Sequence, residues 1–69
     1  MKRRDLIRQI ARAAKAKGMP FKRVRSRRHD VYSLDGLIIP IPRHREIGEG
    51  LADDIRKECE SKLGMRWWR

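Results

Sequence analysis

Val31-Tyr32-Ser33-Leu34-Asp35-Gly36-Leu37-Ile38-Ile39-Pro40-Ile41 is the stretch on which the fold turns. β-Branched and aromatic residues stand on both sides of an Asp-Gly pair, the strongest short signal for a β-hairpin. With Asp35-Gly36 as a two-residue type I′ turn, Leu34 lies opposite Leu37, Tyr32 opposite Ile39 and Asp30 opposite Ile41. Side chains alternate across a strand. Tyr32, Leu34, Leu37, Ile39 and Ile41 therefore share an apolar face that meets the rest of the chain. His29, Val31, Ser33, Ile38, Pro40 and Pro42 share the other, with His29 opposite Pro42. A three-residue turn would slip the register and exchange the faces.

Outward from the hairpin, Phe21 to Arg25 reads as a preceding strand whose Lys22, Arg23 and Arg25 suit a sheet edge. Pro40 and Pro42 confine the last strand to an edge there or end it, because proline donates nothing to a ladder. Arg3 to Lys17 reads as a helix with Leu6, Ile10, Ala13 and Ala14 at helical spacing, stopped by Gly18 and Pro20. Lys2, Arg3 and Arg4 oppose the macrodipole of that helix. They read either as a solubilising end or as a patch that touches phosphate. Arg43 to Gly50 reads as a loop. Leu51 to Leu63 follows as a second helix, with Leu51, Ile55, Cys59 and Leu63 every four residues and Ala52 widening the stripe. The expected fold is α+β, in the order α-β-β-β-α: an antiparallel three-stranded sheet with two helices on one face.

The 69 residues form one domain, 1-69, too small to bury more than roughly 60% of its unfolded surface. The single cysteine, Cys59, cannot form an internal disulfide, and no secretory or membrane segment stands out, so the expected compartment is cytoplasmic. Nineteen Lys and Arg against nine Asp and Glu give a net charge of +10. Such charge points to nucleic acid before an acidic protein, and to either before a membrane surface. The first helix has a thin, Ala-rich apolar stripe without an aromatic anchor, which argues against membrane binding.

The charge gathers at the open end of the hairpin, where Arg25, Arg27, Arg28 and Arg43 stand with the chain's two histidines, His29 and His44. Cations around an imidazole favour its neutral, proton-accepting form. The same cations would hold a phosphodiester beside it. In RNA the 2′-hydroxyl supplies an internal nucleophile, so one base and a set of cations suffice for cleavage without metal. His29 is the catalytic candidate. Arg25, Arg27, Arg28, Arg43 and His44 are candidate RNA contacts, His44 lying opposite Arg27 in the extended register. Asp30 points away from His29 and reads as a strand-end charge for a nearby arginine.

One cysteine and two histidines at these spacings match no zinc pattern, and Asp53 and Asp54 diverge on a helix, so neither a metal nor a cofactor is expected. Gly48-Glu49-Gly50 could form a phosphate nest, but Glu46, Asp53 and Asp54 beside it argue against an anion there. In the tail, residues 65–69, Trp67 and Trp68 read as packing at the domain edge, or else as stacking or anchoring groups.

The opening Lys2-Arg3-Arg4-Asp5-Leu6-Ile7, the strand His29-Asp30-Val31-Tyr32, the turn Asp35-Gly36 and the run Ile39-Pro40-Ile41-Pro42-Arg43-His44 resemble HicA toxins. Glu46-Ile47-Gly48-Glu49-Gly50 and the Gly64…Trp67-Trp68-Arg69 ending look like the actinobacterial and phage branch of that family. The resemblance implies a double-stranded-RNA-binding-domain-like fold and an mRNA interferase with one catalytic histidine on the second strand, here His29. It also implies an mRNA substrate and a HicB-type antitoxin that covers the site. One departure is plain: Ser26-Arg27-Arg28 stands where the family carries a glycine before the histidine. A non-catalytic RNA-binding module on the same fold, holding RNA by its shape, is the alternative reading.

Overall fold

Asp35 and Gly36 adopt φ values of 51° and 91°, the two successive positive angles of a type I′ turn. The computed structural model describes residues 1–69. In it, β2 (Asp30–Leu34) and β3 (Leu37–Ile41) pair antiparallel in the expected register, from Leu34 opposite Leu37 to Asp30 opposite Ile41. The Ser33 hydroxyl accepts a hydrogen bond from the Gly36 N–H at 3.1 Å and tightens the turn. β1 (Phe21–Ser26) pairs antiparallel with β2 on its other side, giving the sheet order β1-β2-β3.

α1 (Arg3–Ala16) packs Leu6, Ile10 and Ala14 onto the sheet. It ends as expected: Gly18 at φ 69° donates to the Lys15 carbonyl, and the Met19 N–H reaches back to Ala14 at 2.9 Å. These two bonds satisfy carbonyls that the last turn would otherwise orphan. The second helical segment begins at Glu49, two residues before the periodicity places it, and breaks at Cys59 into α2 (Glu49–Glu58) and a single-turn α3 (Glu60–Leu63). Ala52, Ile55, Cys59 and Leu63 face the core. Leu51, expected on that stripe, is 43% exposed, because the helix turns Ala52 inward in its place.

Both helical segments share one sheet face with Leu34, Ile39 and Ile41, and Tyr32 and Leu37 pack at the margin of this core. Phe21 stacks on Tyr32 with ring centroids 5.1 Å apart. Ile47, in the segment read as an open loop, is also fully in the core. An isolated bridge between Lys2 and Glu46 holds that segment against the start of α1. Burial pushes the Cys59 thiol up to about 12, with the neighbouring Glu58 carboxylate adding to the effect. Trp67 covers the core edge, and its indole N–H donates to the Arg56 carbonyl at 2.8 Å. Trp68 meets Trp67 edge-on. No helix is long and apolar enough to cross a membrane.

Candidate functional site

The geometry at the hairpin mouth begins with an irregularity in β1. Arg23 pairs with Tyr32 and Arg25 with Val31, so Val24 is an extra residue without a partner, 49% exposed. A bulge of this kind exchanges the faces of everything beyond it. Without it Arg25 would stand opposite Asp30 and point toward the helices. With it Ser26 takes that position, and Arg25 moves to the uncovered face alongside Val31. The same extra residue carries β1 on to Ser26, one residue past the expected end.

Ser26 then joins a closed polar network around Asp30, the only buried charged residue. The Ser26 hydroxyl donates to one Asp30 oxygen at 3.0 Å, and Arg43 Nε donates to the same oxygen at 3.0 Å. The other oxygen accepts from Arg3 Nη2 at 2.5 Å. Arg3 Nε donates to the Pro42 carbonyl at 2.8 Å, and the second arm of Arg43 reaches the Ser26 hydroxyl. Burial raises the Asp30 pKa, but the Ser26 and Arg43 hydrogen bonds and the Arg43 and Arg3 charges outweigh it, holding the carboxyl below its ordinary range. Asp30 is therefore a paired strand-end charge, as its facing implies. One of its two arginine partners comes from α1, which the hairpin sequence alone does not disclose.

His29 lies one residue before β2, not on it. The ladder stops at Asp30 and Ile41, because Pro42 has no N–H to extend it. The expected pairing of His29 with Pro42 is therefore absent. Residues Arg27, Arg28 and His29 instead form a bend, closed by the Arg27 N–H on the His29 carbonyl at 3.4 Å. His44 likewise follows the end of β3 as an exposed loop residue, so its expected pairing with Arg27 is not formed either.

Arg25, Arg27, Arg28 and His29 are all exposed, and none of them makes an intramolecular ion pair. The three arginines, all just ahead of the imidazole in the chain, keep their donors toward solvent. Arg43 is different. Its side chain is half exposed and its donors are engaged with Asp30 and Ser26, so it braces the mouth of the hairpin. Arg3 was legible only as an anomaly, a cation at the wrong end of a helix, and its side chain is 21% exposed against Asp30. No group of three or more His, Cys, Asp or Glu side chains converges as metal ligands would.

Chemically, the mouth presents an unengaged imidazole beside unpaired guanidinium groups, on a bend anchored at both ends by Ser26 and Asp30 of the polar network. Comparison with protein-family models, with characterised proteins and with solved structures finds no match for this chain.

Proposed function

We propose that the chain is a metal-independent endoribonuclease, an mRNA interferase of the HicA kind, with His29 as its general base. The carrying observation is the isolation of His29. Its imidazole is exposed and makes no side-chain hydrogen bond, while the adjacent carboxylate is turned inward and neutralised by Arg3 and Arg43. No local anion competes with a phosphodiester for Arg25, Arg27 and Arg28. These arginines bind the RNA backbone and His29 takes the proton of the 2′-hydroxyl. The 2′-oxygen forms its bond to phosphorus as the bond from phosphorus to the 5′-oxygen breaks. The departing 5′-oxygen recovers a proton from the imidazolium or from water. The arginines stabilise the charge that develops on the phosphoryl oxygens.

The α-β-β-β-α order and the short motifs that resemble those of HicA toxins support this reading, and a double-stranded-RNA-binding-domain-like fold is part of what is proposed. In a toxin of that kind the partner is a HicB-type antitoxin covering the hairpin mouth, and the compartment is the cytoplasm, where mRNA is. One observation favours a non-catalytic RNA-binding module instead: no residue orients the His29 imidazole through a hydrogen bond, so substrate itself must position it.

Product chemistry tests the proposal. RNA incubated with the protein in excess chelator should yield upstream fragments ending in a 2′,3′-cyclic phosphate and downstream fragments with a free 5′-hydroxyl. DNA of the same sequence should bind and remain intact. Cleavage of DNA, or activity that chelator removes, would contradict the mechanism. Tight RNA binding without any cleavage would leave the binding module as the function.

A further inference from the structure

A second basic feature lies where the start of α1 meets the chain leaving β3, and its wall includes Arg3 and Arg43 of the Asp30 network. Lys2, Arg3, Arg4, Arg43 and Arg45 line an open cleft of about 520 Å³, with neither an apolar nor an acidic side chain in its wall. Two segments of sequence build it, held together by the Lys2–Glu46 bridge and by the Arg3 N–H, which donates to the Arg45 carbonyl at 2.9 Å.

Asp30 occupies Arg3 and Arg43 but leaves the remaining cations unmatched. Lys2 and Arg45 form no ion pair, and Arg4 meets Asp5 only at 3.8 Å between exposed groups, an interaction of little strength. The positive end of α1 adds to this field, since its N-cap, Lys2, makes no side-chain capping bond. Like charges gathered in this way repel one another, and an anion in the cleft relieves that repulsion.

We propose that this cleft binds a phosphate group carrying two or more negative charges, separate from the phosphodiester proposed to lie beside His29. Guanidinium groups match phosphate oxygens in pairs, and Arg4 and Arg45 have the donors free to do so. The group has two possible sources: free inorganic polyphosphate, or the terminal 5′-phosphate of an RNA. The site does not depend on cleavage at His29, so either reading can fail without the other.

Pyrophosphate titration followed by NMR tests the site. The amides of Arg4, Arg45 and Glu46 should shift, and Arg4→Gln/Arg45→Gln should weaken binding at least tenfold. Lys15→Gln/Lys57→Gln removes the same charge from exposed positions outside the cleft and should change affinity no more than about twofold. A further comparison uses 5′-phosphorylated and 5′-hydroxyl RNA of one sequence on the His29→Ala protein. Tighter binding of the phosphorylated RNA, lost in Arg4→Gln/Arg45→Gln, identifies an RNA end as the ligand. Indistinguishable RNAs with pyrophosphate still bound identify free polyphosphate. The proposal is overturned if pyrophosphate fails to bind, if Arg4→Gln/Arg45→Gln binds it like wild type, or if both double variants lose it equally.

Discussion

At its closed end the β2–β3 hairpin is held by a two-residue turn and by Leu34, Ile39 and their apolar neighbours. At its open end it is held by a carboxylate, two guanidinium groups and a serine hydroxyl. The closed end is secured locally, by backbone angles that asparagine, aspartate and glycine adopt readily and by residues adjacent in the chain. The open end is secured from a distance, since Arg3 and Asp30 are 27 residues apart. Apolar packing tolerates small displacements. A charged network with a buried carboxylate does not, because any partner withdrawn leaves a polar atom unsatisfied. That difference lets the open end keep a rigid floor while its rim, Arg25, Arg27, Arg28 and His29, stays exposed and uncommitted.

The largest effect should follow from emptying the closed end. Ile39→Ala removes a fully buried side chain and should destabilise the fold by about 2–5 kcal/mol, read as a lower urea midpoint. In a domain of this size a loss at the upper end of that range should leave much of the chain unfolded.

Asp30→Asn breaks the open end and should come next, with a pH signature that Ile39→Ala lacks. The folded protein keeps Asp30 ionised at lower pH than the unfolded chain does. Its stabilising contribution is therefore complete above about pH 4 and is lost as pH falls through the lowered folded value. Wild type should lose stability across that acid range more steeply than Asp30→Asn. Parallel acid profiles for the two proteins would show that the network does not hold the mouth.

Those two ends were also unequally legible in the sequence. The turn, the register and the inward face follow from Asp35-Gly36 and the alternation around it, because hairpin turn chemistry acts over adjacent residues. The bulge at Val24 was not legible. Nothing in Phe21–Ser26 marks which residue is extra, and the choice depends on Ser26 reaching Asp30. The role of Arg3 was hidden for a related reason: sequence shows its conflict with the helix dipole but not the carboxylate that resolves it. The extended hairpin also misplaced His29 and His44, since ladder pairing fails at Pro42. For the site, the residue types clustered at the mouth could be named, whereas their division into bracing and free arginines required the fold.

A smaller effect should follow at the turn. Gly36→Ala places a Cβ at φ 91° and should lose roughly 1 to 2 kcal/mol while leaving the Asp30 network intact. Its acid profile should therefore keep the wild-type shape at a lower level. A flattened acid profile in this variant would mean that the two ends are coupled.

The rim should respond least in stability and most in binding. Arg27→Gln and Arg28→Gln should leave the urea midpoint within about 0.5 kcal/mol of wild type, as for exposed residues without partners. Each should reduce the slope of log affinity for single-stranded RNA against log salt by roughly 0.7. Arg43→Gln should lower stability as well as affinity, because Arg43 holds Asp30. Equal behaviour of all three variants would erase the distinction between floor and rim.

The central claim is that His29 performs the chemistry on a mouth that other residues build. Single-turnover cleavage of a defined RNA by wild type and by His29→Ala tests it most directly, with RNA affinity and circular dichroism measured on the same samples. His29→Ala should cut about 10² to 10⁴ times more slowly while folding and binding are unchanged. Cleavage by His29→Ala at the wild-type rate would contradict the account.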